Sequence, residues 1–378
     1  ATHPRLDQPT NRRRTGSRLT PTGLKHLEKF RPEIAEIELD LADPAASEVV
    51  VRVTHAGVCH TDIHVREGGY DLGSAGRMSM VERGVAYPLI MGHEIAGEII
   101  ATGPDVHNRS VGEAVVVYPW LGCGECATCE EGAENLCVEG SRILGIMRPG
   151  GYADLVSVPH EKYAVPLAGV DPEWAATLAC SGLTAVSAAE QVAASKITQE
   201  TSPVAVIGAG GVGLMCLAAL AAKGMSDVTV VDRSDVNFEQ ARSLGAARCV
   251  VIDEDTSAAD LIEAMGAPPV AVVDVVNSGA TMKLAYDSLR KGGCLVTVGL
   301  FGGEMLLPTA TVTLTQKSIV GNYVGSLGHL HEALALARDG HLPRIPITTV
   351  ERSAESIQRT LDDLQQGLSR GRTVLTSA

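Results

Sequence analysis

VAVIGAGGVGLM, residues 204–215, is the stretch that decides the fold. Four apolar residues, Val204, Ala205, Val206 and Ile207, run into a glycine turn, and the largely apolar run GLMCLAALAAKG continues from it with helical character. Gly208, Gly210 and Gly213 stand in GxGxxG register, with Gly211 and Val212 on the same turn. Glycines placed there let the backbone approach a pyrophosphate at a helix N-terminus. The motif alone is weak, because glycines also serve ordinary tight turns. Its context sharpens it: the next strand, DVTVVD, ends in Asp232, where a carboxylate would accept hydrogen bonds from the hydroxyls of an adenosine ribose. That carboxylate repels a 2'-phosphate, which favours NAD over NADP, although Arg233 beside it softens the exclusion.

Outward from this turn the pattern repeats. The runs PVAVIG, DVTVVD, CVVID, VAVVDVV, CLVTVGL and SIVGNYV read as strands, separated by helical stretches such as DVNFEQARSLG, AADLIEAMG and ATMKLAYDSLRKG. Near-continuous apolar strands alternating with helices predict an α/β unit with a doubly wound parallel sheet. Upstream, EVVVRVTHAGV, PLIMGHEIAGEIIATG, GEAVVVYPW and YADLVSVPHEKYAVP are short β-rich runs punctuated by Gly and Pro, so a compact β-rich domain is expected there. ATLACSGLTAVSAAEQVA, between the two, reads as helix. The last elements expected are the helices HLHEALALARDG and AESIQRTLDDLQQG and the strand RTVLTS, a tail that returns to the first domain.

The whole chain has 378 residues with 45% apolar and 20% charged residues, the composition of an ordinary globular protein of two or three domains. Its formal net charge of −14 argues against nucleic acid as a partner. Basic residues do gather in residues 1–30, where Arg5, Arg12, Arg13, Arg14, Arg18, Lys25 and Lys29 face only Asp7 and Glu28. That segment has no apolar core of a secretory signal and is read as a flexible, solvated tail rather than a nucleic-acid arm. The longest uncharged stretch, residues 201–222, is interrupted by GAGGVG, so no membrane span is expected.

Four of the nine cysteines, Cys123, Cys126, Cys129 and Cys137, crowd into one Gly-rich loop. This is metal-site spacing, not a disulfide framework, and it implies a reducing, cytoplasmic setting. Four thiolates close a tetrahedral zinc completely, as a structural site requires. An iron–sulfur cluster also takes four cysteines, but the ferredoxin-type run is spaced differently and ends in Cys-Pro. The loop holds Glu125, Glu130, Glu131, Glu134 and Glu139 and no Lys or Arg, which counts against nucleic-acid binding through it. Elsewhere Cys59, His93 and Cys180 each sit within GVCHTDIH, GHEIAG and LACSGLT; taken singly, each is as well read as a core residue.

Taken together and in order, GVCHTDIH, GHEIAG, the four-cysteine loop, LACSGLT and GAGGVG followed by Asp232 resemble the zinc-dependent medium-chain alcohol dehydrogenase family, over about residues 48–378. The resemblance implies a GroES-like β-rich catalytic domain, a Rossmann cofactor domain and an active site between them. It implies domain limits of 31–184 for the first part of the catalytic domain, 185–325 for the cofactor domain and 326–378 for the return. Carried over residue by residue, Cys59, His93 and Cys180 match catalytic zinc ligands that leave the fourth position open. Asp62 matches the acid that orients the ligand histidine, and Glu94 the acid beneath the metal. His60 matches a pyrophosphate contact, Thr61 and His64 a proton relay ending at a solvent-facing imidazole, and Thr184 the residue that packs on the nicotinamide. Arg372 matches a second pyrophosphate contact, and Trp120 an aromatic lining the alcohol pocket, with an ordinary core tryptophan as the competing reading. The implied reaction is hydride transfer between an alcohol, or an aldehyde or ketone in reverse, and NAD, with one catalytic and one structural zinc per chain.

Cys59 and His93 stand 34 positions apart, a long separation, and the extra residues GGYDLGSAGRMSMVERGVAYP form either a flap over the substrate entrance or a tolerated surface loop. Asn237 occupies a place where a basic residue is expected, and residues 1–30 lack the family's opening strand. A polyol or sugar dehydrogenase is the alternative within the family; Cys180, where such enzymes more often carry a carboxylate, and the apolar Trp120 and Leu121 weigh against it. A non-catalytic dinucleotide sensor predicts gaps in the constellation, and none is present. The apolar edge strand SIVGNYVG suits pairing with its twin, so a homodimer, or a homotetramer built from it, is expected.

Overall fold

A computed structural model describes residues 13–20, 33–195 and 201–377. The glycine turn belongs to a sheet of six parallel strands in the spatial order Arg248–Val251, Val228–Asp232, Val204–Ile207, Ala271–Asp274, Cys294–Thr297, Ser318–Gly321. Val204–Ile207, first in the chain, pairs with the second strand on one side and the fourth on the other, so strand order reverses beside it. Doubly wound sheets hold ligands in the crevice at such a switch point, beyond the carboxyl ends of the strands. Both faces of Val204–Ile207 and Ala271–Asp274 are buried, which is why these runs are apolar without alternation. Gly208 has φ 102°, and a Cβ on Gly213 would collide with the Gly208 carbonyl oxygen, so two of the motif glycines are required by backbone geometry.

The β-rich unit is a sheet in the order Ala164–Pro166, Ala114–Val117, Glu94–Thr102, Val49–Val58, Arg372–Thr376, Ile347–Glu351, with Leu155–Val158 also on Val49–Val58. The C-terminal return is therefore as expected: Arg372–Thr376 lies antiparallel to Val49–Val58. The Pro-rich crossing before it contains one more strand, Ile347–Glu351. Helix Ala354–Gln365 buries Ile357, Thr360 and Leu361, an i, i+3, i+4 stripe, and its outer side holds Arg66 through Asp362 at 2.6 Å and Gln365 at 2.8 Å. The returning chain thus clamps the helix His60–Glu67, on which part of the site is built.

Three expectations are altered. Within the segment read as a tail, Arg13–Thr20 is a strand, antiparallel to Glu33–Asp40 and to Leu89–Ile90; residues 1–12 and 21–32 lie outside the described residues. Ladder hydrogen bonds come from the backbone and tolerate a charged sequence, so composition hides the strand. The single helix expected around Cys180 is divided into Pro172–Thr177, a wide π-turn Leu178–Gly182, and Leu183–Ala194. Such turns gather at functional sites. The long segment after Cys59 folds into a small hairpin, Gly69–Asp71 on Arg77–Ser79, whose Ser74 hydroxyl reaches Glu304 at 2.6 Å.

Candidate active site and metal centres

Cys59 caps the helix His60–Glu67, and its backbone N–H donates to Asp62 Oδ2 at 3.0 Å. The same buried carboxylate accepts the Tyr152 hydroxyl at 2.9 Å and stands, through Oδ1, 3.3 Å from His93 Nδ1. One residue therefore fixes the cap that presents Cys59 and the ring that presents His93. A histidine held on one nitrogen by a carboxylate turns the other outward as a ligand. His93 Nε2 and Glu94 Oε2 are buried without a hydrogen-bond partner, and Nδ1 meets Asp62 Oδ1 at ion-pair distance without a formed hydrogen bond. Cys180 arrives on the π-turn with its sulfur 3.8 Å from that of Cys59.

Ligand atoms of Cys59, His93, Glu94 and Cys180 lie within 4.8 Å of one another, all buried. A tetrahedral zinc with bonds of about 2.3 Å to sulfur requires sulfur–sulfur edges of about 3.8 Å, so the pair fits the ion. Sharing a proton with Cys180 pulls the Cys59 thiol well below its ordinary range against the opposing effect of burial, and pushes Cys180 up. Burial alone would lower the basicity of His93; the Asp62 carboxylate and the Cys59 sulfur raise it instead. A thiolate beside an orphaned imidazole nitrogen is a donor set suited to a divalent cation.

Cys123, Cys126, Cys129 and Cys137 form a second group with sulfurs within 4.8 Å of one another. Cys123–Cys129 and Cys126–Cys137 are each 3.9 Å apart, close to the tetrahedral edge and far beyond a disulfide, and all nine cysteines are unpaired. Backbone N–H groups of Glu125 and Cys126 point at the Cys123 sulfur at 3.4 and 3.3 Å, and that of Cys123 at the Cys137 sulfur at 3.3 Å. Turns that aim amides at sulfur stabilise thiolates, and four of them leave no open position.

At the cofactor crevice, Gly210 caps the helix Gly211–Ala222 and has open space where a side chain would stand. Asp232 ends its strand with Oδ2 taking the Ala209 N–H at 2.6 Å and Oδ1 the Ser234 N–H at 3.1 Å, so the carboxylate is pinned beside the glycine turn. Val212 is partly buried on the same helix, while Arg233 is exposed. Asn237 is partly buried, with its carbonyl oxygen enclosed and without a partner. Thr184 is buried in the first turn of Leu183–Ala194.

Arg372 differs from its expected role. It is buried and ion-paired with Glu94, and it lies against Gly211, where a Cβ would strike its side chain. Its side chain therefore joins the two regions, with the aliphatic stem against the glycine turn and the guanidinium on Glu94 in the cysteine–histidine cluster. His64 is corrected as well: the imidazole expected to face solvent is 9% exposed. The hairpin after the helix covers it, with the Tyr70 ring 4.8 Å away, and His60 lies 5.5 Å off on the same helix face. Burial first, then the neighbouring His60, lowers the His64 pKa to about 4. His60 is half-buried, next to Thr61, and stacks on Phe301 of the cofactor unit at 4.8 Å. Trp120 donates from Nε1 to the Ala179 carbonyl at 2.9 Å, and its ring stands edge-on to His93 at 5.4 Å, which sets it at the cluster and not in a remote core. Tyr152, Tyr70, Phe301 and Tyr323, which complete these surroundings, stand outside the motifs, and no spacing marks them.

A dinucleotide-type crevice, a four-thiolate staple and a buried Cys–His–Cys set with Glu94 beside it define a two-domain, metal-dependent oxidoreductase architecture. Family models for the alcohol dehydrogenase GroES-like domain and for zinc-binding dehydrogenase match residues 45–169 and 211–339. An NAD-dependent alcohol dehydrogenase of Saccharolobus solfataricus is 35% identical over 89% of this chain and 95% of that protein. A D-arabinose 1-dehydrogenase (NADP(+)) of the same organism is 28% identical over 93% and 96%. The crystal structure of an alcohol dehydrogenase from Aeropyrum pernix superposes with a TM-score of 0.83 at 26% identity, covering 96% of this chain and 99% of that one. The chain belongs to the zinc-dependent medium-chain alcohol dehydrogenase family. Its fold is accordingly the GroES-like catalytic unit joined to a Rossmann unit.

Proposed function

We propose that the protein is an NAD-dependent alcohol dehydrogenase acting on simple primary or secondary alcohols, with 31–184 and 326–378 as catalytic domain and 185–325 as cofactor domain. The observation that carries this reading is the buried Cys59–His93–Cys180 set beside an enclosed Arg372–Glu94 pair that reaches the glycine turn. Zinc held by that set supplies a Lewis acid for the alcohol oxygen, and NAD on the glycine turn a two-electron acceptor. The chain's own part is orientation and proton handling. Asp62 orders Cys59 and His93; Trp120 gives the alcohol an apolar wall and excludes water; Asp232 selects a ribose without a 2'-phosphate. Thr61 accepts the alcohol's proton as it gives up its own hydroxyl proton towards His64, and an imidazole whose pKa lies at about 4 passes that proton on instead of keeping it. His60 offers a ring N–H towards the pyrophosphate side, the Arg372 side chain packs against the glycine turn, and Thr184 gives a packing surface for the nicotinamide.

The nine unpaired cysteines support a cytoplasmic location, and no helix among the described residues is long and apolar enough to cross a membrane. Ser318–Gly321 is exposed at the edge of the parallel sheet, which supports a homodimer or a homotetramer built from it. The arabinose-oxidising relative favours a second reading, a sugar or polyol substrate, against which stand Cys180 and Trp120. One preparation tests all of this: two zinc per chain, NAD reduction with simple alcohols exceeding that with polyols, and a sedimenting dimer or larger species are expected. One zinc and no turnover, or a monomer at micromolar concentration, overturns the reading concerned.

Burial of His64 has a consequence for acid stability. An unfolded chain's imidazole protonates near 6.5, the folded one only at about 4. The unfolded state thus binds more protons in between, and stability falls as pH drops through that window, by up to about 3 kcal/mol. His64→Gln is expected to flatten the dependence of melting temperature on pH between 6.5 and 4, and to slow alcohol oxidation by about 10²-fold. Parallel melting curves for the two proteins would show that the imidazole is not buried neutral.

A further inference from the structure

Just past the edge strand Ser318–Gly321, the turn through Tyr323, Val324 and Gly325 is strained and heavily braced. Val324 has φ 50°, the left-handed region, where a β-branched residue is a true outlier. Such backbone persists only where its surroundings hold it. Here three side chains take three consecutive carbonyls: Asn135 Nδ2 donates to that of Tyr323 at 2.9 Å, Asn322 Nδ2 to that of Val324 at 3.3 Å, and the Tyr118 hydroxyl to that of Gly325 at 2.9 Å. The donors come from separate parts of the fold. Asn135 stands between Cys129 and Cys137 in the four-cysteine loop, Tyr118 stands two residues before Trp120, and Asn322 is at the end of the edge strand.

Asn322 is buried and its amide is fully used. It also donates to the Thr184 carbonyl at 3.2 Å, while its oxygen accepts from Ser187 Oγ at 2.8 Å and Gln191 Nε2 at 2.7 Å. The amide thus ties the turn to the helix that begins at the cofactor crevice. The product of this bracing is the placement of the Tyr323 ring, edge-on to Trp120 with centroids 6.3 Å apart, beside the ring that itself faces His93.

Resting on the alcohol dehydrogenase reading above, we propose that Asn135 and Asn322 are positioning residues for the alcohol pocket: they hold the strained turn so that Tyr323 and Trp120 form one aromatic wall, which selects aryl alcohols over short aliphatic ones. The four-cysteine loop then shapes the site as well as stapling the fold, because Asn135 is carried on it. An edge-to-face aromatic contact is worth about two- to tenfold in affinity, enough to set a preference.

The test uses Asn135→Ala and Val324→Gly in the zinc-loaded protein. The first removes one brace; the second removes the strain, so that the turn is no longer confined to one backbone conformation. Tryptophan emission is the readout independent of turnover, since the protein has only two tryptophans and Trp120 is the one that meets Tyr323. Expected are a shifted emission maximum in both variants and a KM for benzyl alcohol raised by about five- to tenfold, with kcat and the KM for ethanol within about twofold of the parent. Retention of both zinc ions in the variants separates this from damage to the staple. Equal changes in KM for the two alcohols, or unchanged emission in both variants, overturn the proposal. If the parent oxidises neither alcohol, the functional reading fails, and the emission arm still decides whether these residues position the wall.

Discussion

Cys59→Ala is expected to lower NAD reduction by at least about 10⁴-fold while leaving one zinc per chain and the melting temperature little changed. The sulfur removed is one of the four buried donors around the proposed catalytic ion, and its loss empties that set without touching the four-cysteine loop. Cys126→Ala should behave in the opposite sense. Three thiolates hold zinc poorly, and the binding energy of a structural ion is folding energy for the segment that wraps it. Zinc again falls to one per chain, but now residues 123–137 loosen, the protein melts at lower temperature, and the activity that remains follows the folded fraction. Zinc analysis of the two proteins beside their melting curves and initial rates decides the matter. Equal loss of zinc with equal unfolding would mean that the two sites are not separate in role.

Arg372→Ala has the second large effect. Its guanidinium is the partner of Glu94, a carboxylate with no exposed surface. Burial raises the Glu94 pKa to about 7, with Arg372 opposing that rise. Removing one member of a buried ion pair leaves the other charge uncompensated, a loss of about 3–5 kcal/mol. The pH dependence has a definite sign. In the unfolded chain the carboxyl ionises near 4.5, so the cost of burying it is absent in acid and complete above the folded value of about 7. Without Arg372 that folded value rises further, and the destabilisation relative to the parent grows from pH 5 towards pH 8. Urea titrations at both pH values measure it, and calorimetry with NAD should show weakened binding, since Arg372 also lines the glycine turn. An unaltered urea midpoint at pH 8 would show that Glu94 does not depend on this partner.

Much of this site is legible in the amino-acid sequence. The glycine turn, the pinned acid at the end of the next strand and the four-cysteine loop are built from residues close together in the chain, so spacing alone carries their geometry. The proposed ligands Cys59, His93 and Cys180 are far apart, and only the joint order of several motifs makes them legible. What the sequence leaves open is spatial. His64 reads as the exposed end of a relay because nothing in GVCHTDIH tells that a hairpin closes over it. Arg372 matches a pyrophosphate contact by its place in the chain, yet in the fold it is held by Glu94. The basic opening segment masks a strand, because ladder hydrogen bonds come from the backbone whatever the side chains.

Local patterns thus settle the class of fold, the four-cysteine loop and the kind of cofactor, since a helix face, a strand alternation or a Cys-x2-Cys loop is determined by neighbours within a few residues. The tertiary structure decides which groups are buried and what each one faces. Tyr152 meets Asp62 across 90 positions, Asn135 meets Tyr323 across 188, and Arg372 meets Glu94 across 278. Contacts over such separations arise from how sheets and helices pack, and burial, which follows from that packing, governs the charge state and reach of each group in the site.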